Sequence, residues 1–293
     1  MVGLKARPRT LMLGTALIAV WVLGALTLVE ADPVLRDYAL YRSSIGIFLI
    51  GIIYRVTVRF PRISVSVAEP KREGYLALVY TCTYILALIL AFTLFRPSPG
   101  VFTLFWLWGG LVGLPYLYLR SRGYGLKSLG ITRERLGPAA LLGLAAAVIQ
   151  QLPYYLLPEV LKDPTAQAVL GGEIPPLTFL LFPLVLVFAL ATGPLPEEFF
   201  FRAVLQTRLA ALFGSGVAGL LVSSLLHGLW HLPLPSFELL LQEEFLVAVS
   251  FFVTYLPAAA VFGVLWMRTR HLAAPLVYHT VVVAYGGLTM IQF

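Results

Sequence analysis

The chain has 293 residues, of which 59% are hydrophobic and 12% charged, with a mean hydropathy of +0.89. A soluble domain carries about 25% charged residues, so this composition excludes a soluble globular protein and marks an integral membrane protein. The net charge of +7 needs no nucleic acid to explain it, because Lys and Arg cluster in alternate loops, as a membrane-orientation signal requires. The single cysteine, Cys82, excludes an intrachain disulfide and a cysteine-based metal site.

Lys5, Arg7 and Arg9 precede an apolar stretch from Leu11 to Val29. That stretch is longer than a signal-peptide core and ends at no A-x-A cleavage site, so it reads as a first spanning helix. Segments of spanning length then recur, giving nine candidates: 10–29, 40–58, 74–95, 101–119, 138–157, 176–192, 214–232, 245–267 and 272–291. The predicted fold is all-α, a polytopic transmembrane helical bundle of about eight or nine spans around a polar intramembrane cavity. No internal repeat or low-complexity segment is evident.

The even loops are basic: Arg55, Arg59, Arg62, Lys71 and Arg72; Arg120, Arg122, Lys127, Arg133 and Arg135; Arg202 and Arg208; Arg268 and Arg270. The odd loops are acidic or nearly uncharged, with Glu30, Asp32 and Asp37, then Arg96, then Glu159, Lys162, Asp163 and Glu173, then Glu238, Glu243 and Glu244. This alternation predicts a cytoplasmic N-terminus, with the cytoplasmic membrane as the expected location. The stretch 158–176, holding Pro158, Pro164, Pro175, Pro176 and Gly171-Gly172, cannot be one regular helix. It divides a sparsely marked half, 1–157, from the half 158–293 that carries the polar intramembrane residues.

Glu197-Glu198-Phe-Phe-Phe-Arg202 follows Gly193-Pro194-Leu195-Pro196 and an uncharged run. Ionisable groups at membrane depth are costly, and they mark function more often than not. Pro194 and Pro196 break one helix and permit another to start, since proline fits a first helical turn. Glu197 and Glu198 would then lie near a helix N-terminus, where negative charge is favoured. Glu198 and Arg202, four apart, share a face and are expected to pair, while Glu197 points elsewhere. Two carboxylates in different surroundings suit one structural and one acid/base role. An interfacial helix with an ordinary surface ion pair is the competing reading.

His227 and His231 are four apart and share a helix face. Structural, acid/base and metal-binding roles all remain open for them. Gly228 stands where a zincin has its glutamate, so the H-E-x-x-H motif is not met. His279 lies in the last span after Pro275, and His271 in a basic turn reads as a solvated loop histidine. Ser223-Ser224 reads as small-residue helix packing. The first five spans offer almost no ionisable groups, which disfavours a transporter.

These segments together resemble the CPBP family, which includes CAAX prenyl proteases of the Rce1 type and bacteriocin-processing and immunity proteins; they are also described as metalloprotease-like or glutamic endopeptidases. E-E-x-x-x-R is complete as Glu197, Glu198 and Arg202. The family's F-x-x-x-H reads here as His227 through His231, with His227 in place of the Phe. Phe262-Gly263 through Arg268-Thr269-Arg270 to Pro275 and His279 is similar to the final family segment, but Val283 stands where the family has Asn, and the chain contains no Asn. The resemblance covers about 175–285. It implies an intramembrane endopeptidase in which Glu197 is the general base assisted by His231, His279 helps to bind the oxyanion, and Glu198 and Arg202 organise the site, with His227 in support. It implies no cofactor, while zinc held by His227, His231, His279 and a glutamate stays a competing reading. The expected partners are the lipid bilayer and a peptide or protein substrate at the membrane. A non-catalytic relative that binds a membrane partner is the other alternative. Straight spans would leave Glu197 and His279 near one membrane face and His231 near the other, so a break or re-entrant segment near Gly193 is expected.

Overall fold

The computed structural model describes residues 8–28, 33–58, 67–94, 102–157, 164–172, 174–231 and 245–288. The sequence readings for 1–7 (Lys5 and Arg7), 29–32, 59–66, 95–101, 158–163, 173, 232–244 and 289–291 lie outside them. Helix is the regular structure of the described residues, with no strand among them. The elements are α1 (Pro8–Thr27), α2 (Pro33–Val56), α3 (Pro70–Leu94), α4 (Phe102–Gly113, with π-helical turns), α5 (Leu114–Ser121), α6 (Leu136–Leu156), α7 (Pro164–Leu170), α8 (Pro176–Thr192), α9 (Pro194–Glu198), α10 (Phe199–Gln206, again π-helical), α11 (Thr207–Phe213), α12 (Gly216–His231), α13 (Phe245–Thr269) and α14 (Ala273–Gly287). Six of these begin at a proline. Proline has no N–H to waste in a first turn and its φ is already helical, so it sets these starts.

Each of the nine predicted segments contains a helix. Among the described residues, four helices are long and apolar enough to cross a membrane. They become five if α8 and the helix from Pro194 to Phe213, bent by 43° at Gly193, count as one broken span.

The charge pattern counted Arg202 and Arg208 in a basic loop, and this is corrected: the helix expected to start at Pro194 runs on to Phe213, and all of 199–206 is buried. The helix escapes a hydropathy reading because two glutamates, two arginines and a glutamine interrupt its apolar residues. Each of those groups has a partner inside the bundle. Arg208 pairs with Glu73 of α3 at 3.4 Å, and its guanidinium lies over the Tyr124 ring, 5.0 Å from the centroid. The Gln206 amide donates to the Gly263 carbonyl (2.9 Å), and the Trp266 indole donates to Thr207 (3.2 Å), which fastens the helix to α13. Arg268 is likewise buried, donating to Thr57 at the end of α2. Three of the arginines counted in the basic loops therefore do not mark a loop.

The 194–213 helix and α12 form a hairpin. Gly214 closes the first helix in the left-handed region (φ 60°), where glycine meets no Cβ penalty. The Ser215 hydroxyl then accepts from the Ala218 N–H (3.2 Å) and opens α12. The two helices touch at Gly219, where a Cβ would lie 2.5 Å from the Ala210 nitrogen.

Two apolar cores flank this hairpin. One joins α3, α4 and α5 to Phe199–Leu205 and Trp230. The other joins α2, α6, α13 and α14 through Leu49, Ala147, Phe262, Leu265 and Tyr278. An apolar cleft of about 800 Å³ lies between α3 and α4, walled by Tyr80, Tyr84, Phe105 and Trp106. It is not the expected polar cavity. Tyr84 stacks on Trp230 at 5.5 Å, and Trp230 and Phe201 separate it from the histidines.

Candidate active site

The break at Gly193 turns the chain before the two carboxylates. Pro194 and Pro196 occupy the first turn of the new helix, and the Glu197 N–H donates back to the Gly193 carbonyl (3.1 Å). Glu197 therefore stands at one end of the hairpin. His227 and His231 stand at the matching end of α12. The geometric difficulty left by straight spans disappears, because the chain inserts a whole buried helix between the break at Gly193 and α12.

Glu198 and Arg202 pair as their spacing predicts, with Nε 3.1 Å from the carboxylate and both side chains fully buried. The surface ion-pair reading of this segment is thereby overturned. The other Glu198 oxygen accepts from His279 Nδ1 at 2.9 Å. Glu198 thus joins α9 to α14.

Glu197 points to a different side, as adjacent helical positions must. Three imidazoles converge on its Oε2: His227 Nε2 at 3.0 Å, His231 Nε2 at 3.7 Å and His279 Nε2 at 4.0 Å. Glu197 is 6% exposed and His279 6%, while His231 is half-buried at the end of α12.

The proton positions follow from the partners. A backbone carbonyl and a carboxylate only accept. His231 Nδ1, 3.0 Å from the His227 carbonyl, and His279 Nδ1, on Glu198, are therefore the protonated nitrogens. In the neutral rings both Nε2 atoms carry lone pairs that face Glu197. His227 is the reverse case. Its Nδ1 lies 2.6 Å from an Arg202 nitrogen, and guanidinium can only donate. The proton of the neutral ring then sits on Nε2, and it is donated to Glu197.

An aromatic ring holds each imidazole in plane: Phe201 on His227 (4.2 Å between centroids), Tyr255 on His231 (4.2 Å) and Phe262 on His279 (4.3 Å). Sequence reading missed Phe201 and Tyr255 in this role, since an aromatic in an apolar helix gives no signal of its own. Ser223 was read as packing, and this is corrected. Its hydroxyl donates to the Phe201 carbonyl (2.8 Å) and accepts from Arg202 (3.4 Å). Buried Ser224 fits the packing reading. Val283, one turn beyond His279, is 41% exposed and has no hydrogen-bonding side chain.

His271 is not a solvated loop residue. It is 3% exposed, with Nε2 donating to the Thr132 carbonyl and Nδ1 accepting from the Ala273 N–H, both at 3.0 Å. It pins the turn between α13 and α14 and belongs to no part of the site. Glu73, buried at the start of α3, is an ionisable group in the half read as nearly bare of them.

Glu197, His227 and His231 each offer one ligand atom within 4.8 Å of the others. They are the residues that could hold a divalent ion. Of the three, His227 fits least well, because Arg202 occupies its Nδ1 and leaves the proton on the nitrogen a metal would need.

Residues 179–285 match the family model of Rce1-like proteins, type II CAAX prenyl endopeptidases. The match contains every residue of the cluster. Comparison with curated proteins finds no match, nor does comparison with solved structures.

Proposed function

With residues 179–285 an Rce1-like domain in an integral membrane protein, we propose that the chain is an intramembrane endopeptidase that hydrolyses peptide bonds with a water activated by Glu197. The observation that supports this best is the convergence of three imidazole nitrogens on the outer oxygen of Glu197, while the second carboxylate is tied down by Arg202 and His279.

Glu197 is the general base and His231 its partner. A water held between Glu197 Oε2 and His231 Nε2 gives a proton to Glu197, and its oxygen adds to the peptide carbonyl carbon. The carbonyl electron pair moves to the oxygen. Before the attack His279 takes a second proton from solvent onto Nε2, and the imidazolium donates to Glu198 through Nδ1 and to this oxyanion through Nε2, returning the proton to solvent when the oxyanion collapses. Collapse breaks the C–N bond, and the proton on Glu197 passes to the leaving amine. Donors fixed before the charge develops are the strongest contributors to such a step, and Phe262 stacking and the Glu198 bond fix His279 in this way. Glu198, Arg202 and Ser223 touch no reacting atom and position the others. The substrate is a peptide or protein that reaches the site along the membrane.

The test compares protein termini by mass spectrometry in membranes containing the wild type and Glu197→Gln at equal expression. Cleavage is expected only with the wild type, since removing a general base costs about 10²–10⁴-fold in rate. Identical termini in both samples would favour a non-catalytic protein that binds a membrane partner.

A further inference from the structure

We propose that His227 is a positioning residue whose tautomer is locked by Arg202, so that its Nε2–H holds Glu197 in the orientation the reaction needs. The proposal rests on Glu197 being the base and adds what keeps that base in place.

A relay of four side chains carries the argument. Glu198 accepts from Arg202 at 3.1 Å. Arg202 reaches His227 Nδ1 at 2.6 Å, and His227 Nε2 reaches Glu197 at 3.0 Å. Arg202 has no acceptor to offer, so the direction of each bond is determined from the Glu198 end. The His227 ring lies flat on Phe201, 4.2 Å away at 14°, and cannot tilt without losing that stack, while a flip within the plane would put carbons opposite Arg202 and Glu197 and break both hydrogen bonds. His227 is 1% exposed, too enclosed to meet a substrate directly. His231 and His279 differ from it in kind, since their protons are on Nδ1 and their Nε2 atoms stand off from Glu197 at 3.7 and 4.0 Å. One imidazole therefore orients the carboxylate, and the other two line the space beside it. Without the His227 donor, Glu197 would keep, among the described residues, these longer imidazole contacts and could rotate about its side-chain bonds, losing the geometry on which proximity effects depend.

The experiment uses the full chain in nanodiscs, labelled with ¹⁵N-histidine. The protein has four histidines, and His227→Gln assigns the signal of interest. At neutral pH His227 is expected to be protonated at Nε2 and bare at Nδ1. A Nδ1–H tautomer, a doubly protonated ring or an Nε2 bound to a divalent metal overturns the proposal. Kinetics supply the second arm. His227→Phe keeps the stack on Phe201 but removes the donor, and it should lower kcat by about 10–100-fold, the range for one hydrogen bond to a charged group, with KM little changed. His227→Gln places an amide N–H near the position of Nε2 and should recover much of that loss. Full kcat in His227→Phe, or a Gln variant no better than Phe, overturns the positioning role. A wild type that cleaves nothing defeats the protease reading and with it the positioning claim, while the spectrum still decides the tautomer.

Discussion

At the scale of single residues, the two adjacent glutamates are alike in sequence and opposite in circumstance. Glu198 is saturated by Arg202 and His279, whereas Glu197 keeps one oxygen among three imidazoles. Removing one partner of a buried ion pair leaves an uncompensated charge, at a cost of about 3–5 kcal/mol. Glu198→Ala and Arg202→Ala are therefore expected to lower both the yield and the melting temperature of the detergent-solubilised protein, while Glu197→Gln melts near wild type; equal melting of all three would remove the structural role of the pair. His271 gives a pH dependence. Burial holds its pKa below the usual 6.5, and the Ala273 N–H on Nδ1 requires the neutral ring. The unfolded chain takes up a proton as pH falls through 6.5 and the folded chain does not, so stability is full above that pH and declines below it. Melting at pH 8 and pH 5.5 should show a larger loss for wild type than for His271→Gln; equal losses would mean that His271 does not titrate on unfolding.

At the scale of elements, the helix from Pro194 to Phe213 decides the site. Its start was legible, since Gly193, Pro194 and Pro196 mark a break and a first turn. Its continuation was not. Hydropathy averages over neighbours in sequence, and the charges that lower this average are neutralised by residues far along the chain, such as Glu73 for Arg208. The close approach of this helix to α12 is a specific vulnerability. Gly219→Val would drive side-chain atoms into the Ala210 backbone, where overpacking costs about 1–3 kcal/mol or more. The expected outcome is loss of activity with the carboxylates and histidines intact, because the hairpin can no longer align Glu197 with His231. Wild-type kcat in that variant would show that the hairpin tolerates splaying. The same logic explains Ser223, which reads as plain packing, and Phe201, which gives no signal of its own: each acquires its role only when the two helices meet.

At the scale of the whole molecule, the helices before residue 158 pack directly on those after it: α2 on α13, α3 on α11, and α6 on α14. His279 depends on this packing, since Tyr278 beside it donates to Gln150 of α6. Orientation in the membrane still rests on the loops that keep their charge, and the segment around Lys127, Arg133 and Arg135 is the clearest of them. In a Cys82→Ala background, Ser128→Cys should be protected from an impermeant maleimide added outside intact cells, whereas Gly172→Cys should react. The opposite pattern would invert the orientation. The sequence by itself determined the apolar, helical character of the chain, the break and restart at Gly193–Pro196, and which ionisable residues lie in apolar segments, Glu197, Glu198, Arg202, His227, His231 and His279 among them, because a charge in an apolar segment is costly whatever the fold. Only the tertiary structure decided how that charge is met. Glu197 and His227 are 30 residues apart, and Glu198 and His279 are 81 apart. Partners at such separations are chosen by packing, which no local pattern encodes.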